Sequence, residues 1–188
     1  MIMDEVRIEN LIKNLIIEIG EDPTREGLHD TPKRIAKMYK EIFGGYESDP
    51  QLAVQFSVDS DTVIIRNIKF YSMCEHHMLP FYGKIHIAYS PNGRVFGVSK
   101  LIRLVEKYSR RLQIQERLTK NIADDLYSQG VKGVAIIAQA EHFCMKMRGV
   151  HSDAEMISST FRGIFNKQVE KDSIISLIHN NTLNRGNL

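Results

Sequence analysis

Apolar residues recur at three- and four-residue steps through the first stretch of the chain: Ile8, Leu11, Ile12, Leu15, Ile16 and Ile19. That spacing predicts an amphipathic helix, closed by Gly20. Glu21-Asp22-Pro23 breaks the pattern, and Thr31-Pro32 then offers an N-cap with proline at the first helical position. Ile35, Met38, Tyr39 and Ile42 carry a second helix as far as Gly44-Gly45. Two helices in a row predict an N-terminal helical segment over residues 1–50, ahead of a main domain over residues 51–188.

From about Ala53 the period falls to two. Thr62 to Phe70 is rich in β-branched residues, and Lys84 to Tyr89 alternates. Ser90-Pro91-Asn92-Gly93 predicts a turn that brings the chain back as Arg94 to Val98. Ser99 reads as the N-cap of a helix carrying Leu101, Leu104, Val105 and Tyr108 on one face. A second stripe at Ile114, Leu118, Ile122 and Leu126 ends at Gly130. Val134 to Arg148 reads as strand again, followed by a loop and a short last helix over Asp172 to Ile178. This order predicts an α+β fold, an antiparallel sheet with helices gathered on one side.

Composition narrows the partners. A formal charge of +2 over 188 residues argues for neither a nucleic-acid nor a membrane partner, so any preference for anions must come from local clustering. No apolar run approaches the roughly 20 residues that cross a bilayer. The start, Met1-Ile2-Met3-Asp4-Glu5, has no basic region or small-residue cleavage site. Two cysteines make a poor disulfide framework, so the expected setting is a reducing cytoplasm.

Both of those cysteines stand beside histidines. Cys74 opens Cys74-Glu75-His76-His77, and Cys144 closes Glu141-His142-Phe143-Cys144. Thiolate and imidazole are the donors zinc prefers, and a zinc with three protein ligands keeps a fourth position for water. The C-x2-H spacing of Cys74 and His77 lets one turn present both, with Cys144 as a distant third ligand. Such a zinc would lower the pKa of its water toward neutrality, and His76 and His142 could then shuttle protons. A closed structural site that takes His76 or His142 as a fourth ligand is the alternative. Read as strand, Val134–Arg148 turns His142, Cys144, Lys146 and Arg148 to one face and Phe143, Met145 and Met147 to a core face. Lys100 and Arg103 sit in the first turn after Ser99, where cations oppose the helix dipole unless an anionic ligand joins them. With Lys146 and Arg148 they could hold a polyphosphate. Glu116 suits the N1–H and 2-amino edge of guanine and Gln115 could add a contact, although alone this pair is ordinary helix surface.

Taken together, Gly20–Gly27, Asp30–Arg34, Phe70–His77, Gly97–Lys100, Arg111–Leu118 and His142–Gly149 resemble the motifs of GTP cyclohydrolase I in its zinc-dependent form, in order and over nearly the whole chain. The resemblance implies a tunnelling fold, whose subunits join strands in a ring. It implies a homodecamer of two stacked pentamers with sites between subunits. It also implies that GTP and water give 7,8-dihydroneopterin triphosphate and formate, the entry to folate-type pterins. Under it, Cys74, His77 and Cys144 are the zinc ligands. His76 and His142 assist ring opening and proton transfer, Ser99 and Lys100 lie near the ribose and triphosphate, and Arg103 and Arg148 contact phosphate. Ser99 is grouped with the two histidines as catalytic, and Lys146 with the substrate contacts. Gln115 and Glu116 are the guanine-recognition pair. One stretch departs: where the family often carries a Ser/Lys/Thr-rich run, this chain has Val150–Met156, with Asp153 and Glu155 adding negative charge. Two other readings compete, a related tunnelling-fold enzyme for another pterin or deazapurine, and a zinc-stapled nucleotide-binding module without turnover.

Overall fold

A five-stranded sheet in the order β5-β2-β3-β6-β7 forms the centre of the computed structural model, which describes residues 3–50, 52, 55–58 and 60–179. Its strands are β2 (Val63–Cys74), β3 (Pro80–Ser90), β5 (Leu112–Gln113), β6 (Gly133–His142) and β7 (Glu155–Gly163). All pairings are antiparallel except β2 with β5. Alternation along β3 and β6 sorts residues by face. Ile85, Ile87, Tyr89, Val134, Ile136 and Ala138 join the larger core with Leu101 and Leu104 of α3 (Val98–Ser109) and Leu118, Ile122 and Leu126 of α4 (Gln115–Ser128). The α+β class and the helix layer are as expected. The last helix, α6 (Gln168–His179), adds something further: its Ile174 and Ile178 cover Ala88, Ala135 and Ile137 on the opposite face.

The N-terminal helices form as their periodicity predicts. In α1 (Glu5–Glu18), Asp4 caps the Arg7 amide at 3.0 Å, and Gly20 takes φ 89° just beyond the end. In α2 (Thr31–Ile42) the cap position falls on Asp30, one residue before the expected Thr31. The segment is fastened to α3 by backbone. The Gly45 amide donates to Arg110 O at 3.0 Å, and the Arg111 guanidinium donates to Gly45 O at 3.0 and 2.6 Å. A Cβ on Gly45 would meet Lys107 O at 2.4 Å, so glycine is what allows this approach.

Four expectations change. First, the turn at Ser90–Gly93 does not make a hairpin. β4 (Arg94–Phe96) leaves the main sheet and pairs with β1 (Gln55–Ser57), while the Phe96 amide donates to the Tyr89 hydroxyl at 3.0 Å in place of a ladder bond. Second, Ser99 is not the N-cap of α3; Gly97 is, with extended backbone, so Arg103 falls in the second turn. Third, the Val134–Arg148 strand stops at His142. Its β3 ladder ends at Phe81 opposite His142, next to Pro80, which has no N–H to give, and its β7 ladder ends at Glu141. Left without neighbours, the backbone closes into the short helix α5 (Phe143–Lys146), and Met147 is 59% exposed instead of facing a core. Fourth, the presumed loop after Gly149 contains β7. Its inward face is polar: Ser158 donates to Gln115 O and Thr160 to the Thr119 hydroxyl at 3.0 Å, so no apolar alternation marks the strand.

Candidate active site

The sheet's topology brings its chemistry to one end. β2 runs out at Cys74 and β6 at His142, and Gln113 of β5 lies beside Cys74, so α4 begins at the same place. After Cys74 the chain turns back at once: Cys74 N donates to Leu79 O at 2.8 Å and Met78 N to Cys74 O at 2.8 Å. Met78 takes φ 52° to do so. This turn sets His77 Nδ1 3.8 Å from Cys74 Sγ. Cys144 arrives from α5, and the three ligand atoms lie within 4.8 Å of one another.

These dimensions suit a metal. Bonds of about 2.3 Å to sulfur and 2.1 Å to nitrogen in a tetrahedron place ligand atoms about 3.6–3.8 Å apart. Cys74 is buried, Cys144 partly buried and His77 exposed, so the cluster opens toward the surface on the imidazole side. Burial, then the Cys74 sulfur beside it, push the Cys144 thiol up, while the Arg148 charge pulls it down. The donors are two sulfurs and one imidazole, a set that suits zinc, and three ligands leave a coordination position free.

His142 stands beside the cluster and is 8% exposed. Its ring stacks on Phe81 with centroids 4.6 Å apart and planes 5° from parallel. Nε2 lies 2.8 Å from Gln115 Oε1. Burial pushes the imidazole pKa down, opposed by the carboxylate of Glu116, which is exposed next to it. Gln115 is no surface residue: it is 1% exposed, and its amide nitrogen donates to Ala138 O at 3.1 Å and Met156 O at 2.9 Å. His76 is exposed, edge-on to His77.

Glu75, between the ligands, was not singled out by sequence. Both its oxygens accept from Arg117, the second at 3.1 Å, which ties the ligand turn to the first turn of α4. Its position inside Cys74–His77 was a signal; nothing in the sequence marked Arg117 as its partner. Lys146 is also engaged. It pairs with Glu141 and, at 3.2 Å, with Asp153, and both raise its pKa. The acidic departure in Val150–Met156 thus reaches back to a cation expected to bind substrate.

Ser99, Lys100 and Arg103 are not brought to this end. α3 starts by β4, beside Tyr89 at the far end of β3, and only its C-terminal end approaches Gln113 and Cys74. At about 1.5 Å of rise per residue the helix holds its first turn some 16 Å away along its axis.

An open sulfur–imidazole cluster and a buried imidazole at one end of an antiparallel sheet define a candidate metal-dependent enzyme of the α+β class. The sequence model of the family "GTP cyclohydrolase I" matches residues 8–179. The GTP cyclohydrolase 1 of Clostridium kluyveri is 49% identical over 173 residues, covering 89% of this chain and 94% of that one. That of Hyperthermus butylicus is 44% identical over 187 residues, covering 98% and 96%. The Desulforamulus reducens protein of that name is 49% identical over 182 residues. An archaeosine synthase QueF-like structure, in the apo form, shares 13% identity at a TM-score of 0.45 over 55% of this chain, a likeness too slight to build on. The chain belongs to the GTP cyclohydrolase I family.

Proposed function

We propose that the chain hydrolyses GTP to 7,8-dihydroneopterin triphosphate and formate, with zinc held by Cys74, His77 and Cys144. The observation that carries this is the three-ligand cluster, spaced for a metal at the end of the sheet where His142 is buried, with the Glu116 carboxylate near that imidazole, in a member of this family. Zinc bound there supplies a water acidified toward neutral pH. His142, once protonated on the nitrogen that faces the substrate, gives that proton to N7 of guanine and makes C8 electrophilic; water adds at C8 and the C8–N9 bond breaks, which opens the five-membered ring. Glu116 accepts hydrogen bonds from the N1–H and 2-amino groups of the base. His76, exposed at the mouth, relays protons during the second hydrolysis, which frees formate. Arg148 neutralises phosphate charge.

Ser99, Lys100 and Arg103 belong to the same reading only if a second copy of the chain brings them. Their place at the far end of α3 supports a site shared between subunits, and so a homo-oligomer, which we take to be a decamer of two stacked pentamers. Two surfaces favour assembly. β7 ends the sheet with its outer edge unpaired among the described residues, and α1 with its C-cap exposes Leu11, Leu15 and Ile19 at 60%, 54% and 67%. Residues 1–50 would act as a helical segment added to a catalytic domain over 51–188. Among the described residues no helix is long and apolar enough to cross a membrane; we assign the enzyme to the cytoplasm, with neither membrane nor nucleic acid as partner.

Incubation of the metal-loaded protein with GTP tests this. Formate and a pterin that fluoresces after oxidation, in equal amounts, are expected. GTP recovered intact from a zinc-loaded sample would instead mark a binding module, and a different pterin would mark a related enzyme.

A further inference from the structure

Gln115 is held in a way that decides which nitrogen His142 can present. A glutamine side chain offers two N–H donors and one acceptor oxygen. Here the nitrogen faces two backbone carbonyls, Ala138 O on β6 at 3.1 Å and Met156 O on β7 at 2.9 Å. Carbonyls only accept. A flipped amide would aim its oxygen at both of them inside a site that is 1% exposed, leaving buried acceptors facing one another. The usual ambiguity of a glutamine amide is therefore removed. Its Oε1 must be an acceptor, and the atom it meets is His142 Nε2 at 2.8 Å.

We propose that Gln115 is a positioning residue that holds His142 as its Nε2–H tautomer, so that Nδ1 is the nitrogen that takes up a proton and passes it to the reacting group. Phe81 completes the arrangement by fixing the plane of the ring, at 5° from its own. Among the described residues Nδ1 has no hydrogen-bond partner. Gln115 also staples the start of α4 to β6 and β7, so the ring is oriented by three elements at once. This assigns the Gln115 side chain to the imidazole instead of to guanine, leaving base recognition to Glu116. The inference deepens the proposed reaction and rests on it for its kinetic consequence, but the tautomer itself does not depend on turnover.

Neutron diffraction from crystals of the wild-type holoenzyme, grown well above the imidazole range, reads the tautomer directly. A deuteron on His142 Nε2 pointing at Gln115 Oε1, with the amide deuterons on Ala138 O and Met156 O, is the expected result. A bare Nε2, or a reversed amide, overturns the proposal. Steady-state kinetics of Gln115→Met and Gln115→Glu supply the second arm. A positioning role predicts kcat lower by about 10- to 100-fold with KM for GTP within about twofold and unchanged metal content, measured at a temperature where both variants are folded because losing the two amide bonds lowers their thermal midpoints. A raised KM with kcat preserved would return Gln115 to guanine recognition. Should either variant fail to fold, the neutron result on the wild type still decides. If the wild type leaves GTP intact, the proposed reaction fails while the tautomer remains measurable.

Discussion

Cys144 and His142 are two residues apart, yet the proposed reaction gives them separable tasks. Cys144 belongs to a three-residue cluster whose ligand atoms lie within 4.8 Å of one another, whereas His142 is outside that cluster and pinned by Phe81 and Gln115. Cys144→Ser should therefore strip the protein of bound metal, measured by elemental analysis, and abolish formate release with it. His142→Ala should keep one metal per chain and still fail to release formate; normal release by this variant would remove His142 from the chemistry. At this scale the sequence was informative where donor type carried the signal. A thiol next to imidazoles is rare on a plain surface, so Cys74, His77 and Cys144 stood out. Gln115 did not, because its burial depends on β7 lying over the start of α4. The hydroxyls of Ser158 and Thr160 hide that strand from any hydrophobic period.

Elements hold the site through a few polar ties. The Glu75–Arg117 pair is partly exposed, so its removal should barely move overall stability. Because Glu75 sits between two ligands, Arg117→Ala should weaken zinc affinity by about tenfold in competition with a chelator. Unchanged affinity would reduce the pair to surface decoration. Asp124 joins α4 to β7 through Arg162 at 2.7 Å. Burial raises its pKa, but hydrogen bonds from Lys120 and Arg162 outweigh this and hold the carboxyl below its ordinary range. A lowered folded-state pKa gives stability that is present above the unfolded value of 3.8 and lost as pH falls through the folded one. The gap in urea stability between wild type and Asp124→Asn should accordingly be seen at pH 7 and shrink as pH falls below 3.8. A gap that stays constant across that range would show that the carboxylate charge contributes nothing. The helices were readable from their 3.6 period. The end of β6 was not, since it depends on where Pro80 and Glu155 leave the neighbouring strands, which a single strand's own alternation does not record.

At the scale of the whole molecule, the distance between the two ends of α3 matters most. One chain carries His142 at one end of its sheet and Lys100 at the other, so if both serve GTP, as proposed, the site needs two copies. Lys100→Ala and His142→Ala, each inactive alone, should regain activity when unfolded together and reassembled, because some mixed interfaces then unite the intact halves. No recovery in mixed particles would place the whole site within one chain. Light scattering should give ten times the 21.6 kDa chain mass, and a stable monomer would contradict the shared site. The shared-site assembly is an expectation of the tunnelling-fold resemblance alone, since composition and period reach only the α+β class.

The central claim is that Cys74, His77 and Cys144 grip a zinc on which GTP hydrolysis depends. It is tested most directly by following formate from GTP in one preparation as isolated, after chelation, and after zinc is returned. The account predicts release that disappears with the metal and recovers fully at one zinc per chain. Undiminished release from protein shown by elemental analysis to be metal-free would contradict it.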